Sequence, residues 1–289
     1  MNFDLHTHTN FSMCADKNNS WENLLIKAQS KGIEFLSITD HDTCIFHVLS
    51  QFKDVAEYFK GKIISGMECD VVDNGIAFEL LAYNFNVLKV FNWAYKTYGT
   101  FETRQTLVKD RLVKKVKALG LRFDYNQVYN GKKEYAHNFV YNNLKSFKEN
   151  DVFFSEHNIN TSSLFYRKST GDKSFPLYQN LSDLWPTPKK VVKAIHKAGG
   201  IVVLAHPYNY NEKVDPNELL NIALENKIDG IEVYHPSCNN KQIKFLLEFA
   251  KRHNLIVTGG SDYHANERHN TIGIQDIKND KYVPNFLTK

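Results

Sequence analysis

The strongest constraint on how this chain folds is where its histidines and acids fall. Short apolar or β-branched runs at Phe3–His6, Phe35–Thr39, Lys62–Ser65, Ile76–Tyr83, Ile201–Ala205, Gly230–Tyr234 and Leu255–Thr258 read as strands, with amphipathic stretches between them. His6-Thr7-His8 ends the first run and Asp40-His41-Asp42 the second, while Glu68 follows the third just after Gly66. Ala205-His206-Pro207, Tyr234-His235-Pro236 and Ser261-Asp262-Tyr263-His264 end the last three. One His-x-His pair is a weak signal; recurrence at strand after strand is a strong one. Strands alternating with helices predict a parallel α/β barrel or wound sheet, and such folds gather their functional side chains at the carboxyl ends of the strands.

Period-two alternation puts the His6 and His8 imidazoles on one face, where both can grip a metal. Glu79 lies inside the fourth run among Ile76, Ala77, Phe78, Leu80 and Leu81. A carboxylate buried there is costly unless it is paired or metal-bound.

Helix signals are clearest late in the chain. Ser20 caps a helix from Trp21 to Ser30, Thr187-Pro188 starts another that Gly199-Gly200 closes, and Asp215-Pro216 starts a third. A helix from about Phe46 to Phe59 is also expected. Between about Tyr95 and Trp185 the strand–helix rhythm stops. Residues 1–95 and 186–289 therefore read as one barrel, and residues 96–185 as an inserted, mostly helical subdomain over its mouth. Arg104–Leu119 in that insert is an amphipathic helix carrying Lys109, Arg111, Lys114, Lys115 and Lys117. A solvated helix face accounts for these cations, although with Lys132, Lys133 and Arg167 they would also suit a second phosphate or an oligonucleotide backbone. Trp185, Tyr208 and Tyr210 near the mouth would stack on a base or serve as packing.

The chain of 289 residues can bury a large core, and its formal net charge of +4 permits an anionic substrate without implying nucleic acid. No apolar run approaches the ~20 residues of a membrane span. The polar, histidine-bearing start has no apolar leader core, so a cytoplasmic enzyme is expected. Cys14, Cys44, Cys69 and Cys238 show neither CxxC nor zinc-finger spacing and are expected as free thiols, three of them near the candidate site. His47, His137, His157, His196, His253 and His269 have no motif around them and are expected as surface or structural histidines.

The ordered motifs DLHTHT (4–9), ITDHDT (38–43), LAHPYN (204–209) and GSDYH (260–264), with GMECD (66–70) and IEVYHPS (231–237) between them, resemble the polymerase-and-histidinol-phosphatase (PHP) phosphoesterase family. That resemblance implies a distorted seven-stranded β/α barrel of TIM-like form holding two or three divalent metals, Mn, Fe or Zn. It marks His6, His8, Glu68 and Asp262 as ligands of one metal. Glu68 would bridge to a second, with Glu79 and His206, and Asp16, His41 and His264 would hold a third. Two departures stand out. The family usually has His at the Glu79 position, and a carboxylate there favours a harder metal such as Mn or Fe. The acid after the first motif usually comes sooner than Asp16. The implied chemistry is phosphoester hydrolysis by a metal-bridging hydroxide, with His235 or His264 protonating the leaving group.

The layout is similar to the family branch acting on nucleoside bisphosphates and short RNA, although Tyr135-Ala136-His137 stands where that branch carries an arginine motif. The expected substrate is a phosphorylated small molecule or short nucleic acid, best a 3′,5′-bisphosphate nucleotide or short oligonucleotide. A small-metabolite phosphatase of the histidinol-phosphatase type is the alternative. Two readings of other classes are an amidohydrolase-like enzyme, which would want a carbamylated lysine at a strand end that this chain lacks, and a non-catalytic module binding nucleic acid or a partner. The filled ligand positions favour the enzyme.

Overall fold

The computed structural model describes residues 2–132, 134–210, 213–266 and 269–273; Lys133 lies outside them. Seven strands, β1 (Phe3–Thr7), β2 (Phe35–Ile38), β3 (Lys62–Asp73), β4 (Ile76–Tyr83), β5 (Ile201–Leu204), β6 (Gly230–Tyr234) and β7 (Ile256–Gly259), form one curled sheet in chain order. A parallel bridge between Thr7 and Tyr263, with His8 N donating to Tyr263 O at 2.8 Å, brings the segment after β7 against β1.

The strands are those read from the sequence, but the all-parallel expectation is wrong. β4 is antiparallel to both β3 and β5, while the remaining neighbours are parallel. The cause is the two-residue turn Asn74-Gly75, whose φ angles of 47° and 74° suit a tight hairpin. Two residues cannot make a parallel crossover. The hairpin also lengthens β3 well past Ser65, so Glu68 lies within the strand instead of ending it. In this register Asp70 pairs with Glu79 and Glu68 with Leu81, so Glu68 and Glu79 become diagonal neighbours on one face.

The helices anchor this sheet. In α1 (Trp21–Ser30) the Ser20 side chain accepts from Asn23 N, and α2 (Ile45–Leu49) is a short helix where a longer one was expected. Next come α3 (Val87–Tyr98), α4 (Phe101–Ala118), α5 (Ala136–Lys145), α6 (Asp151–Glu156) and α7 (Ser162–Gly171). The sheet is rejoined through α8 (Pro188–Lys197), α9 (Pro216–Glu225) and α10 (Asn240–His253). Asn239 and Gln242 cap α10 reciprocally.

Inside the curl, Phe3, Leu5, Ile64, Leu81, Tyr83 and Val203 form a small apolar cluster, and the Tyr83 hydroxyl donates to Leu5 O at 2.9 Å. A larger cluster runs without a break from β3–β6 into α3–α8, through residues such as Val71, Leu112, Phe165 and Val191. The helices of residues 96–185 therefore pack directly onto the sheet. Among the described residues no helix is long and apolar enough to cross a membrane, and all four cysteines are free.

Candidate metal centre

Ten side chains converge at one end of the sheet. Glu68, buried at 1% exposure, is the hub: its Oε2 lies 3.3 Å from His6 Nε2, 3.2 Å from His8 Nε2 and 3.3 Å from His41 Nε2, and its Oε1 lies 3.1 Å from His206 Nε2. Asp262 Oδ1 sits 3.4 Å from both His6 Nε2 and His8 Nε2. Glu79 groups with Glu68 and His206, their ligand atoms all within 4.8 Å of one another. His8, His41 and His264 form a further group of that span, with Cys14 as its fourth member. The structure thus brings together His6, His8, His41, Glu68, Glu79, His206, Asp262, His264 and His235. Asp16 is left out: it is exposed, and its carboxylate accepts from Asn18 N at 2.7 Å. The loop Phe11–Asp16 turns Cys14 inward instead, with Sγ 3.0 Å from His264 Nε2.

These side chains suit divalent metals. The Nε2 atoms of His6 and His8 are buried and make no hydrogen bond, which in a protein interior is costly without a ligand. The far nitrogens are held by neighbours that fix the tautomer. Ser12 Oγ donates to Asp40 at 2.8 Å, so it accepts from His8 Nδ1 at 3.1 Å and leaves the His8 Nε2 lone pair facing inward. His264 Nδ1 donates to Asp262 O at 2.7 Å, with the same result. Glu232 Oε1 accepts from His6 Nδ1 at 3.0 Å, and its Oε2 accepts from His206 N at 2.9 Å. Carboxylates behind metal-binding histidines orient the ring and raise its basicity.

Electrostatics follow from this crowding. Burial alone would raise Glu68 and Asp262, yet the surrounding histidines, His41 and His6 for Glu68, His6 and His264 for Asp262, hold both well below the usual carboxylate range. Glu79 is pushed up to about 7 by burial and by Glu68 and Asp70, with His206 acting the other way. Burial opposes ionisation of both Cys14 and His264, but each stabilises the other's charge, so the thiol falls to about 5 and the imidazole rises to about 9. Backbone strain also collects here: His206 and Asp262 have φ angles of 22° and 54°, conformations that non-glycine residues hold only when their surroundings enforce them.

His235 differs from the other rings. Ser237 N donates to its Nδ1 at 3.0 Å, so the neutral ring carries its proton on Nε2, 3.5 Å from Asp262 Oδ2. His264, the other candidate proton donor, has both nitrogens engaged, with Asp262 O and Cys14 Sγ.

A cavity of about 730 Å³ opens onto this cluster. Arg104, Lys132 and Arg167 line it, together with Tyr135, Tyr166 and Trp185. Arg104 donates to Asp42 Oδ2 at 2.8 Å and to Tyr98 O at 2.7 Å. The other cations of α4 do not reach the cavity; Lys109 pairs with Asp110 and Arg111 with Asp183. Tyr210 lines the cavity and Tyr208 does not.

Of the histidines without a motif, His196 pairs with Asp229 at 2.7 Å, His47 is buried against β2 and β3, and His157 and His253 pack on aromatic rings. His269 departs from expectation, with Nδ1 3.6 Å from Asp262 Oδ2. His137 borders the cavity at 2% exposure, and neither ring nitrogen has a hydrogen-bond partner among the described residues.

Sequence reasoning missed Glu232, Cys14 as a cluster member, and the Ser12–Asp40 support. Glu232 was findable, because it sits in an apolar run (Gly230-Ile231-Glu232-Val233-Tyr234) and poses the burial problem already noticed at Glu79.

Two expected outcomes follow. Glu232→Gln leaves the fold intact but weakens metal binding by roughly 10–100-fold, as read by equilibrium dialysis; unchanged affinity would mean that the carboxylate does not support His6. Burial pushes His137 down to about 3, whereas an unfolded histidine titrates near ~6.5. The folded protein therefore keeps this contribution fully above pH ~6.5 and loses it as pH falls toward 3, by up to about 1.4 kcal/mol per pH unit. His137→Phe should flatten the dependence of unfolding free energy on pH between about 6 and 4 by about one proton, measured by urea unfolding at a series of pH values.

A model of the PHP domain matches residues 4–158. The phosphoribosyl 1,2-cyclic phosphate 1,2-diphosphodiesterase of Eggerthella lenta is 25% identical over 263 residues, covering 91% of this chain and 94% of that protein. A 5′-3′ exoribonuclease of Haemophilus influenzae is 24% identical over 268 residues, covering 91% and 89%. Among solved structures, a protein from Bifidobacterium adolescentis described as a metal-dependent phosphoesterase superposes with a TM-score of 0.64 at 22% identity, covering 99% of this chain and 93% of that one. One from Chromobacterium violaceum described as an amidohydrolase superposes with a TM-score of 0.68 at 17% identity, covering 100% and 96%.

Proposed function

The chain belongs to the PHP domain family and is a metal-dependent phosphoesterase; on that premise we propose that its substrate is a ribose phosphate ester, either a nucleotide bearing two separate phosphates, such as a 3′,5′-bisphosphate, or the end of a short RNA. The observation that carries this reading is the cavity over the ligand cluster, whose volume of about 730 Å³ suits a nucleotide-sized ligand. Its walls offer Lys132 and Arg167 to a phosphate away from the reacting centre, and flat rings (Tyr135, Tyr166, Trp185) to a base. Both curated relatives support it by name, one as a phosphoribosyl cyclic phosphate diphosphodiesterase and the other as an exoribonuclease.

Two or three divalent metals, Mn, Fe or Zn, are the cofactors in this reading. His6, His8, Glu68 and Asp262 hold one, and Glu68, Glu79 and His206 the next. Bound there, the metals supply an acidified water and positive charge against the phosphoryl oxygens. The chain's own residues do the rest. Glu68 holds the two positions together, Glu232 and Ser12 keep the histidine lone pairs turned inward, and residues 96–185 cover the mouth and shield the reacting phosphate from bulk water. His235, with its Nε2–H beside Asp262, hydrogen-bonds to the leaving oxygen, which takes its proton from water, and Ser237 N keeps the ring in this tautomer.

The test is phosphate release by metal-reconstituted protein from a 3′,5′-bisphosphate nucleotide, a 5′-mononucleotide, histidinol phosphate, an aryl phosphate and a short RNA. We expect kcat/KM for the bisphosphate or the RNA to exceed that for the 5′-mononucleotide by at least about tenfold, the share of one added phosphate contact. A preference for histidinol phosphate or the aryl ester would replace this reading with a metabolic phosphatase.

A further inference from the structure

We propose that Cys14, His41 and His264 form a separate, sulfur-containing metal position selective for zinc, beside carboxylate-rich positions that take a harder ion such as Mn or Fe. The proposal rests on the metal-centre reading above and goes beyond it in naming the third position's ligands and metal.

Four ligand atoms, from His8, Cys14, His41 and His264, lie within 4.8 Å of one another. The His8 ring stacks on His264 at 4.1 Å and on His41 at 4.9 Å, and Cys14 Sγ is 3.0 Å from His264 Nε2. His8 and His41 both face Glu68, at 3.2 and 3.3 Å, but the His8 Nε2 also faces Asp262, at 3.4 Å; that second carboxylate places His8 with the neighbouring position and leaves Cys14, His41 and His264 as three ligands for this one. His41 Nδ1 is buried without a hydrogen bond, 3.7 Å from Asp70 Oδ1.

The Cys14 loop is built in place. Asp16 N donates to His264 O at 2.9 Å, and Asn266 Nδ2 donates to Cys14 O at 3.3 Å. These contacts carry the thiol inward and turn the Asp16 carboxylate out to solvent.

Donor chemistry then decides the metal. One thiolate and two imidazoles make a soft N2S set that favours zinc, with a fourth tetrahedral position open. Glu68, Glu79 and His206 present two carboxylates and one imidazole, which favour a harder ion. The result is one centre with two kinds of metal preference, set by a cysteine that turns inward where Asp16 was expected to.

The test is zinc K-edge X-ray absorption on protein reconstituted with one zinc and excess manganese. The expected spectrum contains one sulfur neighbour at about 2.3 Å. In Cys14→Ser, with Cys44, Cys69 and Cys238 unchanged, that neighbour disappears and zinc affinity falls by at least about a hundredfold. Cys14→Asp should recover metal binding but favour manganese, which separates a ligand role from simple disruption of the loop. Only nitrogen and oxygen neighbours in the wild type, or zinc loss in Asp16→Asn equal to that in Cys14→Ser, would overturn the proposal. Failure to bind any zinc or manganese would instead overturn the metal-centre reading beneath it.

Discussion

Replacing Glu68 with Gln should lower phosphoester hydrolysis by at least about a thousandfold, close to 4 kcal/mol of transition-state stabilisation, while circular dichroism remains that of the folded protein. The expectation follows from the position of this carboxylate. Its two oxygens face His6, His8, His41 and His206 at 3.1–3.3 Å, so one carboxylate reaches imidazoles across the cluster. Glutamine keeps the volume but removes the charge and puts amide hydrogens where metal ions would have to sit. Metal content measured on the same sample separates the causes: loss of both metal and activity fits a bridging ligand, whereas lost activity with full metal content would make Glu68 a base instead.

Gly260→Ala should be strongly destabilising. A Cβ at this position would lie 2.1 Å from His6 Cβ, 2.5 Å from His6 N and 2.7 Å from His6 Cα. Two of those atoms are backbone of β1, so the clash cannot be relieved by a side-chain rotation. An overpacked core of this kind costs about 3 kcal/mol or more, which lowers the melting temperature by about 6 °C or more in a chain of this size. It also displaces His6 from Glu232 and Glu68, so metal affinity should fall in parallel. A thermal melt within about 1 °C of wild type would show that β1 and the segment after β7 are not packed as described. Gly66, whose Cβ would meet Ser37 Oγ at 2.0 Å, is a softer case because one contact is a side-chain end.

Much of this was legible in the residues themselves. Strand positions followed from apolar runs bounded by polar loops, and the cluster from histidines and acids recurring at or near the strand ends. Topology was misjudged because the Asn74-Gly75 signal lies between two runs that also read as parallel strands in series, and the hairpin it encodes reverses β4. Asp16 was expected because the family resemblance implies an acid after the first motif, and Cys14 was read only as a free thiol near the site. Which of two residues in a six-residue loop turns inward depends on hydrogen bonds to the His264 carbonyl and the Asn266 side chain, some 250 residues away in sequence. His269 reaches Asp262 through the same distant loop, and no local pattern marks it. Arg104 was read only as the start of a basic helix. Its burial against Asp42 and Tyr98 depends on how α4 docks, which periodicity alone does not give.

The central claim is that these side chains form a multinuclear metal centre beneath a nucleotide-sized cavity. The most direct measurement is an anomalous-difference map from crystals of protein reconstituted with manganese and zinc. Strong peaks bonded to Glu68, one shared with His6, His8 and Asp262 and another with Glu79 and His206, are the predicted result. Bound metal located away from Glu68, with His6, His8 and His206 paired to carboxylates alone, would contradict it.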